Sequence, residues 1–308
     1  MYIKERNASD SNCKKLLRDK GCFADLCNYA FFQGRQVIQP EELVSRENDL
    51  STLIGKVDKP TEIKRYRDVV RKASIHGEYV IIGVEHQSTF DEKTIFRILN
   101  YDATIYINQV ESKQEIYPVG SFVFYTGDKE WKSPETLKET LKNIPPEMEP
   151  YINDWRLPVV ELKTMDARKL TNQRLKEVVE ISQSMFAGNY DDLRNNRKIE
   201  IENFMMAAIF TRTKIKREDL PEGDEINMCE AMDRLFQRFE NQGMEKGKII
   251  GFEKGKSDTL KEQLKVKLGT LSRPLEKQLT NTSLEKLNEL TLNIFNVTNE
   301  DDVLRIIN

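Results

Sequence analysis

What this chain has little of narrows its chemistry first. Only two histidines occur, His76 and His86, which excludes a metal site built on a cluster of imidazoles. The four cysteines, Cys13, Cys22, Cys27 and Cys229, form no Cys-x-x-Cys pair, and their spacing is not that of a zinc site. Free thiols suit a reducing cytoplasm. No apolar run approaches the roughly 20 residues that span a bilayer, and the opening Met1-Tyr-Ile-Lys-Glu-Arg6 has no apolar signal region. A cytoplasmic protein with no membrane partner is expected. A basic excess is missing too. The chain carries 48 Lys and Arg against 51 Asp and Glu, a net charge of −3, so any attraction for phosphates must come from local patches.

What is present is a chain of 308 residues, 38 % hydrophobic and 32 % charged. That is enough for two domains and a substantial core, with long charged helices. The most informative stretch is Tyr79-Val-Ile-Ile-Gly-Val-Glu-His-Gln87. Bounded by His76-Gly-Glu78 and Ser88-Thr-Phe-Asp91, it predicts a buried strand. Side chains two apart on a strand share a face, so Glu85 and Gln87 project together and His86 points the other way, as a core histidine. A carboxylate leaving a buried strand is costly unless something pairs with it. Asp68, on the strand expected just before, supplies that pairing if the two acids share a divalent cation. Mg²⁺ suits such a set, since it takes oxygen ligands and keeps several waters; Mn²⁺ and Ca²⁺ are the alternatives. The carbonyl of His86 offers a further oxygen.

Five landmarks then line up in order: Phe23-Ala-Asp-Leu-Cys-Asn28 with Phe31-Phe-Gln-Gly34, Arg65-Tyr-Arg-Asp-Val-Val-Arg-Lys72, Gly83-Val-Glu-His-Gln-Ser88, Arg97-Ile-Leu-Asn-Tyr-Asp102, and Pro118-Val-Gly-Ser-Phe-Val-Phe-Tyr-Thr-Gly127 with Trp131. Across residues 20–165 the chain resembles the Rpn family of recombination-promoting nucleases and transposases, within the PD-(D/E)xK nuclease superfamily. The resemblance implies an α/β, restriction-endonuclease-like mixed sheet flanked by helices. It implies a metal-dependent DNA endonuclease with Asp68, Glu85 and Gln87 as catalytic residues, Gln87 standing where the superfamily has Lys. The residue before Asp68 is Arg67 where the superfamily has Pro. Arg97 and Tyr101 are implied to face the site, Arg97 either clamping the scissile phosphate or pairing with Glu85. Asp25 is either an accessory ligand through a water or a surface or capping acid. Arg65, Arg67 and Arg71 either contact phosphates or charge a solvated strand edge. The rival reading is a non-catalytic DNA-binding or interaction protein that keeps the fold.

Four regions follow from the patterning. Residues 1–165 are the nuclease-like domain, flexible at first, with a helix over about 14–32 that breaks at Gly21. Strands are predicted near 66–73, 79–87, 118–125 and 157–162, with a helix over 94–107 and another capped by Ser133. Residues 166–242 show helical spacing and no convincing strand. In 243–257, four glycines at spacing four predict a weak helix or hinge, since each costs about 1 kcal/mol in a helix. Residues 258–308 form a small helical domain whose leucines either mediate homo-oligomers or pack back on the helical middle.

Overall fold

The computed structural model describes residues 2–44, 69–113, 115–132 and 134–308. The opening residues are helical rather than flexible: α1 spans Tyr2–Arg18 and α2 spans Lys20–Phe32. The break between them falls at Asp19, whose side chain accepts the Cys22 N–H at 2.8 Å and caps α2. Burial of Cys13, Leu16 and Leu17 explains why this charged segment is ordered.

Five strands follow in one sheet among the described residues: β1 (Leu43–Val44), β2 (Val69–Ile75), β3 (Glu78–Gln87), then, after helix α3 (Thr94–Glu111), β4 (Val119–Tyr125), and, after the short α4 (Leu137–Thr140), β5 (Val159–Glu161). They lie side by side in chain order. β1, β2 and β3 are antiparallel, while β3, β4 and β5 are parallel. This is the mixed sheet expected. His76 and Gly77, with φ of 53° and 88°, make the two-residue β2–β3 turn, the left-handed pair that a tight hairpin favours. The parallel β3–β4 pair needs a crossover, and α3 supplies it. Ser133, the expected cap, lies outside the described residues. Thr136 caps α4 instead, in a reciprocal box with Glu139.

Alternation along β3 and β4 splits the core. Ile82, Val84, Phe122 and Phe124 pack against Phe23 and Leu26 of α2. Val123 and Tyr125 face Ile95, Ile98 and Tyr101 of α3. Two further helices of this unit among the described residues are α5 (Gln173–Ala187) and α6 (Ile201–Phe210). Their Leu175, Val178, Val179, Met206 and Phe210 complete the first cluster. One core therefore crosses the boundary expected at 165/166, and the chain forms one unit up to Met232 and a second over Asp233–Asn308. The helical region also holds an unexpected antiparallel pair, β6 (Lys198–Glu200) with β7 (Glu225–Asn227). Each has three residues with a single buried isoleucine, Ile199 or Ile226, too short to show alternation.

α7 runs unbroken over Met228–Leu268. The stretch 243–257, expected as a weak helix or hinge, is part of it. In the second unit α8 (Arg273–Thr280), α9 (Leu284–Asn293) and α10 (Glu300–Ile307) start at Ser272, Ser283 and Asn299. Leu260, Leu264, Leu275, Leu279, Leu287, Leu290, Val303 and Ile307 bury one another there. The leucine stripe thus builds this unit's own core. No helix among the described residues is long and apolar enough to cross a membrane.

Candidate active site at the end of strand β3

β3 delivers two polar side chains to the α3 side of the sheet at its last turn of pleat. Gln87 is buried and Glu85 half-buried. Gln87 Nε2 donates to Glu85 Oε1 at 3.1 Å, as two side chains on one strand face can. Arg97, one turn into α3, reaches the same oxygen: its Nη2 donates to Glu85 Oε1 at 3.2 Å. The Glu85 side chain keeps 12 % exposure and that of Arg97 31 %. Of the two roles expected for Arg97, the pairing with Glu85 is the one present here. The register explains the placement. Glu85 pairs with Val123 and Gln87 with Tyr125 of β4, so both stand over the cluster that receives α3.

A residue that sequence reasoning missed joins them. Asp91, in the loop before α3, accepts from Arg97 Nη1 through Oδ2 at 3.1 Å. Its Oδ1 accepts the Lys93 N–H at 3.0 Å and its carbonyl the Thr94 N–H at 3.1 Å. An Asp a few residues ahead of a helix was the available signal, but it reads as a turn residue. Thr94 Oγ1 also accepts from Arg97 Nη2, at 3.4 Å. Tyr101, one turn after Arg97, is buried in the α3 cluster and supports the helix that carries Arg97. Beside the site, Trp131 stacks edge-on against Phe90 and Tyr125 with centroids 5.3 and 5.1 Å apart. A Cβ on Gly127 would lie 2.2 Å from Tyr125 Oη, so only glycine lets the chain pass this ring.

The other site residues go elsewhere. His86 is a core histidine, as expected, facing α1: Nδ1 lies 2.9 Å from Asp10 Oδ1 and Nε2 2.8 Å from Thr126 Oγ1. Asp25 is no surface acid. Its Oδ2 accepts the N–H groups of Thr171 and Asn172 at 2.8 and 2.9 Å, and its Oδ1 accepts from Gln36 Nε2 at 3.0 Å and Thr171 Oγ1 at 3.2 Å. Those bonds fill a carboxylate, so it caps the turn before α5. Arg71 pairs with Ile82 on the α2 side of the sheet. Its Nη2 donates to the carbonyls of Leu17 and Arg18 at 3.1 and 2.8 Å, and its guanidinium lies 5.2 Å from the Phe23 ring centroid. It closes the end of α1 and does not face Glu85. Asp68, Arg65 and Arg67 lie outside the described residues. Among the described residues, no three His, Cys, Asp or Glu side chains gather in one place. The donors at Glu85 and Gln87 are oxygen atoms, which fit an oxygen-seeking cation and not a thiolate- or imidazole-seeking one.

No curated protein and no solved structure matches the chain. Residues 61–210, from before β2 to the end of α6, match the family model described as "Putative transposase, YhgA-like". That stretch contains Glu85, Gln87, Asp91 and Arg97, and over it the chain is similar to this Rpn-type, PD-(D/E)xK nuclease-like family.

Proposed function

We propose that this protein hydrolyses phosphodiester bonds in DNA with the help of a divalent cation. The observation that carries the reading is the convergence of Glu85, Gln87 and Arg97 at one strand end inside the family-matched segment. Asp68, one residue ahead of the described part of β2, would join Glu85 in holding Mg²⁺ or Mn²⁺, with the His86 carbonyl as a further oxygen. Such a cation lowers the pKa of a bound water and neutralises charge on the attacked phosphate. The chain's own residues do the rest. Gln87 cannot take up a proton, so its amide orients the attacking water or a phosphate oxygen. Arg97, with a planar fork of donors, suits a phosphate oxygen pair. The buried cluster beneath, Val123, Tyr125 and Tyr101, holds both side chains in place.

One observation favours a second reading. Glu85 already has Arg97 and Gln87 as partners, which suits a non-catalytic DNA-binding or interaction protein that keeps the fold. Nicking of supercoiled plasmid with Mg²⁺, Mn²⁺ or Ca²⁺ separates the two. Cleavage is expected with at least one cation, and Glu85→Ala should abolish it while duplex binding persists. Gln87→Ala should slow it by about 10–10³-fold, the range for loss of one orienting donor. No cleavage under any cation supports the second reading.

A further inference from the structure

One guanidinium serves two carboxylates at this site. Arg97 gives Nη2 to Glu85 Oε1 at 3.2 Å and Nη1 to Asp91 Oδ2 at 3.1 Å. The two acids differ in what holds them. Glu85 is fixed on the sheet and only 12 % exposed. Asp91 belongs to the loop, where its other oxygen is tied to the Lys93 N–H. A cation arriving at Glu85 meets Arg97 in its place, and two positive groups on one carboxylate repel. Arg97 must then release Glu85. It need not leave the site, because Asp91 still holds Nη1 from the other side and Thr94 Oγ1 still accepts from Nη2.

We propose that Asp91 is a positioning residue that retains Arg97 beside the site when a divalent cation takes Glu85. Arg97 is then Glu85's counter-charge in the cation-free protein and offers the Nη2 N–H released from Glu85 to a phosphate once the cation is bound. Without Asp91, the Arg97 guanidinium is left to Glu85 and competes harder with the cation. This rests on the cation reading above, and the test tells the two apart.

The experiment is calorimetric titration of Mn²⁺ into the parent protein, Glu85→Gln, Arg97→Gln, Arg97→Lys, Asp91→Asn and the Asp91→Asn/Arg97→Gln double variant. Arg97→Gln should bind Mn²⁺ about 5-fold tighter or more, the lower end of ordinary coupling between sites. Arg97→Lys keeps the charge and should stay near the parent. Asp91→Asn should bind more weakly, and the double variant should match Arg97→Gln, since Asp91 acts through Arg97. A purely structural Asp91 would lower thermal stability and leave Mn²⁺ affinity alone. If the parent binds Mn²⁺, loses it in Glu85→Gln and keeps the same affinity in Arg97→Gln, the competition idea fails alone. A loss in Asp91→Asn that persists without Arg97 also overturns it. A parent that binds no Mn²⁺ overturns the cation reading and this proposal together.

Discussion

At the scale of single residues, the buried acids divide by what surrounds them. Asp25 is saturated by backbone N–H groups of Thr171 and Asn172 and by two side chains, and this answers what it is for. Removing it strands buried donors, each worth about 1–3 kcal/mol. Asp25→Ala should therefore cost about 3 kcal/mol or more of stability, read as a lower urea midpoint at unchanged m. A loss below about 1 kcal/mol would return Asp25 to the candidate ligands. The same contrast applies to the thiols. Burial pushes the Cys22 thiol well up, helped by the neighbouring Asp19 charge, and burial does the same to Cys27. Both are packing groups and not nucleophiles. Glu85 is different in that the Arg97 guanidinium and the Gln87 amide meet it as side chains and not as backbone N–H groups.

At the scale of elements, α7 carries its helix through all four glycines of the stretch expected as a weak helix or hinge. A Cβ added at Gly243, Gly247, Gly251 or Gly255 would meet nothing within 4 Å, so no close packing demands these glycines. Their cost is then pure helix propensity, about 1 kcal/mol each relative to alanine. Gly247→Ala should raise the melting temperature of the intact protein. An unchanged or lower value would mean that this face is covered in solution or needs to bend. The β3 run was legible because a fully buried strand is a continuous apolar word ended by polar residues. Of α1 only the end from Lys14 was legible, because its buried Cys13, Leu16 and Leu17 lie at that far end and the polar start carries no stripe. β6 and β7 were illegible at three residues each. The face that carries Glu85 and Gln87 followed from a period of two, while the place of Arg71 followed from the same rule but its partner, the end of α1, did not. Asp91 could not be read at all: its role depends on a helix turning Arg97 back toward the loop.

At the scale of the molecule, the family-matched segment is not the folding unit. The first core takes Cys13, Leu16, Phe23, Leu26, Ile38 and Leu43 from outside residues 61–210. A fragment of residues 61–210 should fail to unfold cooperatively, whereas residues 1–232 should do so. The fragment 233–308, with its own leucine core, should be helical and melt as a unit. Its mass in solution tests the homo-oligomer proposal, for which Leu292 and Phe295, 82 % and 87 % exposed, remain available. A cooperative transition in the 61–210 fragment would overturn this division. The reach of that core, from Cys13 to Phe210, also sets a clock. A ribosome working at about 5–20 residues per second needs roughly 10–40 s between completing α2 and completing α6. Through most of that delay Phe23, Leu26 and the Cys22 and Cys27 thiols have neither α5 nor α6 to close over them. The nascent chain, rather than the finished fold, is where this protein is most exposed to oxidation, aggregation and capture by chaperones.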